Sequence, residues 1–377
     1  MKILPHHGLY QGQDSHPQPN TNQGAYLMNN NKKHLAKLPG WIGLGIITLL
    51  NTIWLYWGMG EAFYEGWGVP DTPWFLFLSI AAVAIAFSLV AIRWPYVGGG
   101  ILIAAGIAFA VWWLVPGIQS GFYTLSIALE RLFLSGGFTL VGVLFILDAR
   151  FNPRQPGAEL PWYKKHLRVL IAVGIPLLTG LGVAAFNLPT VLTRVDDGDR
   201  SARLIEGNGV SLVWAPAGPG WNEKKDYGGY PSWRALAAYG LEAQGLDPDA
   251  FPTGYATEAD MAETGVCAYL TEDGTTLSLE PQNIWRMPTV DEIARSLSRH
   301  GVNAGCTWDG ETGRMDCDLT PDKETPLWAP DEPPVYYWTA EAYDEEDAYY
   351  VSYTGFVSYQ PKTWGNPRHG YRCVREP

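Results

Sequence analysis

Hydrophobic positions divide the chain into two unlike halves. In the first, apolar residues come in long runs at 41–58, 74–92, 97–115, a fourth run ending at Leu147, and 167–186. A helix needs about 20 apolar residues to cross a hydrocarbon core about 30 Å thick, so five membrane spans are expected. The fourth is interrupted by Glu130 and Arg131 if it begins near Phe122; a start at Leu132 leaves a short span, with 118–131 at the interface. Buried charges in lipid are too costly to keep without a use, and this adjacent pair near a span boundary reads as an anchor rather than a relay. Trp54, Trp57, Trp74, Trp94, Trp112 and Trp113 lie near span ends, where interfacial aromatics belong. Gly98, Gly99, Gly100, Gly136 and Gly137 permit close helix packing.

Beyond residue 204 the pattern becomes short apolar stretches separated by Gly and Pro. Runs at 210–215, 335–339, 348–353 and 371–374 read as strands. Two helices are expected. One starts at the N-cap Ser232 and runs to about Gln244, just before Gly245. The other follows Thr289, which forms a capping box with Glu292; Ile293 and Leu297 supply its apolar face and Gly301 its end. The expected fold is a five-helix transmembrane bundle followed by an α+β, loop-rich domain. Its parts are a disordered tail at 1–38, a membrane domain at 39–188, a juxtamembrane linker at 189–204 and a compact domain at 205–377.

Charge adds an orientation. Residues 1–186 carry 11 Lys and Arg and seven Asp and Glu (net +4), whereas 187–377 carry 15 and 31 (net −16). The cations of the first half cluster in the N-terminal tail (Lys2, Lys32, Lys33, Lys37) and in alternate connections (Arg93, then Arg150, Arg154, Lys164, Lys165 and Arg168). Cytoplasmic loops retain Lys and Arg, so the N-terminus is expected in the cytoplasm and residues 187–377 outside a plasma or inner membrane. The polar, Asn- and Gln-rich tail does not read as a cleavable signal peptide. Its His6, His7, His16 and His34 match no metal-site spacing. An acidic domain without a Lys/Arg cluster argues against nucleic acid as a partner.

All four cysteines, Cys267, Cys306, Cys317 and Cys373, fall in the acidic half, where an oxidising compartment favours disulfides. Cys306 and Cys317 flank a Gly- and Asp-rich turn, which makes their bridge the most local choice and leaves Cys267 for Cys373. Spacing alone leaves the other two pairings open. Zinc is disfavoured, because no CxxC pair occurs and His300 and His369 lack ligand spacing.

Two surfaces go beyond what a core needs. Asp344, Glu345, Glu346 and Asp347 form an acidic run, and Asp309, Glu311, Asp316 and Asp318 decorate the Cys306 to Cys317 turn. Clustered carboxylates make these candidate calcium ligands, although the spacing fits no EF-hand loop. The segment QPKTWGNPRH combines the aromatic Trp364 with Asn366, Arg368 and His369. With Tyr337 and Trp338, these are candidate contacts for a sugar or peptide. The sequence contains no GxSxG, HExxH or P-loop match, and no residue is assigned a catalytic role.

The succession GVSLVW (209–214), a helix at Trp233, WRMPT (285–289), YYWT (336–339), YYVSY (349–353) and YRCVR (371–375) resembles DUF1566 domains. Those are similar to the sulfatase-modifying-factor group and share its C-type-lectin-like fold. The resemblance spans the C-terminal domain and none of the membrane half. Its signature positions are Trp285, Arg286, Pro288, Thr289, Glu292, Tyr371, Arg372 and Arg375, with Trp285 and Arg286 expected to pack beneath the last strand. Such a fold implies ligand binding more often than catalysis, though fold is not function. The formylglycine-generating relatives use a cysteine pair; here Cys373 sits inside YRCVR and Cys306 and Cys317 in an acidic hairpin, neither matching that site. The expectation is a membrane-anchored protein that recognises a ligand, an envelope polysaccharide, a peptide or a membrane-protein partner. The alternatives are a tethered enzyme of the sulfatase-modifying type and a sensor with a separate signalling partner.

Overall fold

The computed structural model describes residues 21–67, 74–119, 125–152, 161–217, 232–247, 251, 254–365 and 368–377. Five long helices come first: α1 (Thr21–Glu61), α2 (Phe75–Arg93), α3 (Pro95–Gln119), α4 (Leu125–Phe151) and α5 (Trp162–Leu192). Each is long and apolar enough to cross a membrane. Two details differ from expectation. Helical backbone begins at Thr21, inside the stretch expected to be a disordered tail, and α1 runs on through a π-helical turn, Ala62–Gly66. The fourth helix starts at Leu125 and passes through Glu130 and Arg131 unbroken; the Arg131 guanidinium lies 4.7 Å from the Trp113 ring centre.

The chain forms two compact units, Met1–Asn51 with Val83–Pro176, and Thr52–Ala82 with Leu177–Pro377. In the first, α3 and α4 meet at glycine: a Cβ on Gly99 would lie 2.7 Å from the Gly142 carbonyl, and one on Gly142 2.5 Å from that of Gly99. The backbones touch because both residues lack side chains. Leu44, Ile47, Ala91, Leu102, Val141, Phe145 and Ala172 form the apolar core of this unit. The Asn51 amide donates to Ser88 at 3.0 Å.

The second unit contains the C-terminal α+β region. Its strands are β1 (Arg203–Gly207), β2 (Val210–Trp214), β3 (Ser298–Arg299), β4 (Val302–Asn303), β5 (Gly313–Arg314), β6 (Tyr336–Ala342), β7 (Asp347–Ser352), β8 (Phe356–Pro361), β9 (His369–Gly370) and β10 (Val374–Arg375). They form three sheets, ordered β1-β2-β10, β3-β4 and β5-β8-β7-β6-β9, the last with β9 parallel to β6. Short helices α6 (Trp233–Ala237), α7 (Tyr239–Ala243), α8 (Glu258–Glu263) and α9 (Val290–Ser296) accompany them. The five-stranded sheet is covered on both faces. Tyr337, Val351 and Val357 pack with Ile205, Leu212 and Ile293, while Trp338, Ala348 and Tyr350 pack with Trp233, Met261 and Cys267. Side chains alternate across a strand, so consecutive residues of β6 and β7 serve opposite cores.

Ser232 caps its helix as expected, accepting from Ala235 N at 3.1 Å, but the helix breaks at Ala238 into α6 and α7. The Thr289–Glu292 capping box is formed at 3.2 and 2.9 Å. The helix it starts ends at Ser296, before Gly301. Leu297 is already extended, and His300 (φ 55°) and Gly301 (φ 72°) make the tight turn between β3 and β4. Two consecutive positive φ values suit a two-residue hairpin, which explains the glycine. The expected strand at 371–374 is reduced to β9 and β10 on either side of Tyr371, Arg372 and Cys373. Disulfides join Cys267 to Cys373 and Cys306 to Cys317, the pairing that spacing favoured.

Two attachments join helix ends to this region. At the end of α1, Tyr64 stacks on Tyr353 with centroids 5.2 Å apart, the Tyr353 hydroxyl donates to Tyr64 O at 2.8 Å, and Glu65 pairs with Arg368 at 2.6 Å. Just past α5, Arg194 forms a bidentate pair with Asp322 at 2.8 and 2.9 Å, and Thr325 N donates to Val195 O at 3.1 Å. Arg299 completes the buried network, reaching Asp322 at 3.1 Å, Glu324 at 2.6 Å and Thr193 at 3.0 Å.

Candidate functional site

The β6–β7 hairpin is closed by its own acidic turn. Asp344 Oδ1 accepts from the amides of Glu346 and Asp347, each at 2.8 Å, and Tyr343 N donates to Asp347 O at 2.9 Å. Lys362, itself buried, donates to the Glu345 carbonyl at 3.0 Å and to that of Ala256 at 2.9 Å, holding the turn against the domain. In the next register, Tyr349 of β7 lies opposite Tyr359 of β8. Directly opposed residues share a face, so the hairpin and β8 gather their aromatics on one side.

Four rings result. Trp308 meets Tyr349 edge-on at 5.7 Å, Tyr349 meets Tyr343 edge-on at 5.3 Å, and Tyr343 stacks on Tyr359 at 3.9 Å with planes 4° apart. Tyr343 and Tyr359 are 44% and 39% exposed, so this is a surface strip and not a core. Trp308 is fixed by its indole N–H, which donates to Glu311 O at 2.8 Å. Tyr343 is raised above the ordinary tyrosine range by the adjoining Tyr359 phenol, and Tyr349 by burial and by Tyr343. Glu311 and Asp344 act on Tyr343, and Glu311 and Glu341 on Tyr349, placing carboxylates at the rim. Flat apolar faces bordered by hydroxyl donors and carboxylate acceptors can stack a ring and bond its polar edge.

The residues singled out in the sequence are dispersed by the fold. Tyr337, Trp338 and His369 lie inside the domain and present no surface to a ligand in this conformation. His369 stacks on Trp338 at 4.5 Å and sits 4.9 Å from both Tyr336 and Tyr350; among the described residues neither ring nitrogen has a hydrogen-bond partner. Burial, with the Arg368 charge beside it, pushes its pKa down to about 3. Arg368 is engaged by Glu65. Trp364 is exposed, and Asn366 lies outside the described residues.

Two of the carboxylates offered to calcium are used by their own turns. Asp344 caps the hairpin amides, Asp309 Oδ1 accepts from Glu311 N at 3.0 Å, and Glu345, Glu346 and Asp347 follow around the same hairpin as Asp344. Asp316 pairs its backbone with Thr307, and Asp318 lies against Gly305. Among the described residues no three His, Cys, Asp or Glu side chains gather where a metal ion would sit.

The signature residues brace the last strand. Arg286 exchanges both backbone hydrogen bonds with Val374, at 2.9 and 2.8 Å, and Arg375 lies 4.9 Å over the Trp285 ring. Pro288 O accepts from Ala340 N at 2.8 Å, and Arg286 forks onto Glu292 at 2.7 and 2.6 Å. Tyr371 is buried, and Arg372 is spent on the carbonyls of Ala215, Pro326 and Leu327. The two disulfides take up all four cysteine sulfurs.

Comparison with protein-family models, curated proteins and solved structures finds no match to this chain. The aromatic strip is therefore read on its own geometry. Sequence reading overlooked Trp308, Tyr343 and Tyr359 because β8 was not recognised, and without β8 nothing brings Tyr359 beside Tyr343. A usable signal was present in the strand-like alternation of FVSYQP.

Proposed function

We propose that this chain is a membrane-anchored binding protein whose C-terminal domain, lectin-like in its motifs and extracytoplasmic, recognises an envelope polysaccharide on the Trp308–Tyr349–Tyr343–Tyr359 strip. The strip carries the reading: sugar rings offer apolar C–H faces to aromatic planes and hydroxyls to phenols and carboxylates. An outside location is supported by the two disulfides and by the cation-poor first connection. The contacts of Tyr64 and Glu65 with the domain support a common side of the membrane for that connection and the domain, in keeping with an odd number of crossings.

Retention of the full chain, in detergent, on immobilised bacterial-type polysaccharides of neutral, acidic and amino-sugar composition tests this. The wild type is retained by at least one polymer, and Tyr343→Ala with Tyr359→Ala releases it. Equal retention of the double variant would remove the strip from the argument.

A second reading, a sensor, is favoured by the attachments at Tyr64 and Arg194. Ligand bound by the domain would act on α1 and α5 through contacts that are largely buried. A signalling partner would then read the helices.

A further inference from the structure

The first unit contains a cavity that the binding reading leaves unused. Its volume is about 460 Å³, within the range of small-molecule sites. It lies where α2 turns into α3, against the last turns of α4 and the first turns of α5, lined by Ile92, Trp94, Val97, Phe145, Asp148 and Arg168 among others. Most of this wall is apolar. Trp94, Tyr96 and Val97 are all exposed, and they lie at the helix ends that carry Arg93, Arg150 and Arg168.

Its polar corner is built. Asp148 is buried, and pairs with Arg168 at 2.6 Å while accepting from Asn152 at 3.0 Å. Asn152 also donates to Ala36 O at 2.5 Å, tying the corner to α1. A Cβ on Gly40 would overlap the Asp148 carboxylate, so glycine at that position is what lets the carboxylate lie against α1. The Arg168 guanidinium is also placed 5.7 Å from the Trp41 ring centre. Asp148 is a positioning residue, already committed to Arg168 and Asn152. The cavity wall itself includes two cations, Arg93 and Arg168, against that one committed anion.

A fixed guanidinium beside an apolar wall at the exposed end of long apolar helices selects an anionic amphiphile. Its planar fork matches a phosphate ester, and the site lies at the end of spans where headgroups are found. We propose that this cavity binds a membrane phospholipid, with Arg168 on the headgroup phosphate and the Ile92, Val97 and Phe145 wall against the start of its chains.

Native mass spectrometry of the full chain, purified in mild detergent and supplemented with phosphatidylglycerol, diacylglycerol of the same chains, or inorganic phosphate, tests the site. The wild type should retain phosphatidylglycerol at least tenfold over diacylglycerol. Arg168→Gln should lose that preference, and Arg150→Gln, outside the cavity lining, should keep it. Ala149→Trp, which fills the cavity and keeps both members of the ion pair, should lose retention too and decides the matter if Arg168→Gln fails to fold. Equal retention of diacylglycerol, or full retention by Ala149→Trp, would overturn the proposal. Displacement of the lipid by inorganic phosphate at equal concentration would also overturn it, by showing a free-anion site.

Discussion

Tyr64, at the end of the first apolar helix, stacks on Tyr353 of the C-terminal domain at 5.2 Å and accepts that residue's hydroxyl hydrogen bond at its own carbonyl. The contact is paired with a second attachment beyond α5, where Arg194 grips Asp322. The domain is thus held at two helix ends rather than hung from one linker. The segment expected to be a juxtamembrane linker, 189–204, contributes Arg194 and Val195 to that grip.

Asp322 is the center of this attachment. It is buried and answers both Arg194 and Arg299, so Asp322→Ala leaves two guanidinium groups without their shared anion. Losing one side of a buried pair costs about 3–5 kcal/mol. The exposed Asp196–Arg200 pair is the control, since Asp196→Ala should cost no more than about 1 kcal/mol. Chemical denaturation of both variants in the full chain, compared by midpoint, checks the difference; similar midpoints would show that the grip contributes little.

The two disulfides differ in the loop they close. Cys267 and Cys373 are 106 residues apart, Cys306 and Cys317 only 11. Loop-closure entropy gives about 4.7 kcal/mol for a 100-residue loop and about 3 kcal/mol for a 15-residue one. Replacing Cys267 and Cys373 by alanine should therefore destabilise the domain more than replacing Cys306 and Cys317. Thermal melts of the two double variants decide the order, and the reverse ranking would contradict it.

Acid should weaken the domain through His369. Burial holds its pKa near 3 in the fold against an ordinary 6.5. Between those values the unfolded chain takes up a proton that the folded chain refuses, so stability falls as pH drops from about 6.5 towards 3. Lys323 behaves likewise at higher pH. It is buried, its ammonium donates to the Glu332 carbonyl, and burial followed by the Arg194 charge lowers its pKa from 10.5 to about 7. That stability is present above 10.5 and lost as pH falls to about 7. Melting temperature should rise with pH in both windows; His369→Phe should flatten the lower one and Lys323→Met the upper one. An unchanged slope in either variant would rule out that residue as the cause.

Much of the architecture was legible because it rests on local rules. Apolar runs mark α2, α3 and α5, and the Thr289–Glu292 box sets the start of α9, since both signals lie in contiguous sequence. The same box at Thr257 and Asp260 starts α8 and could have been read. Gly301 misled because a glycine that ends a helix and one that turns a hairpin share the same positive φ. The Asp148–Arg168 pair escaped notice because Asp148 falls one residue beyond the apolar run, and only the packing of α1, α4 and α5 shows it buried. The aromatic strip depends on cross-strand register, which no single segment encodes.

The most direct test of the binding account is hydrogen–deuterium exchange of the full chain in nanodiscs, with and without the polysaccharide it retains. Binding on the strip predicts slowed exchange at 307–311, 343–349 and 356–361, with the β1–β2–β10 sheet unchanged. Protection confined to that smaller sheet, with the strip exchanging as before, would contradict the account.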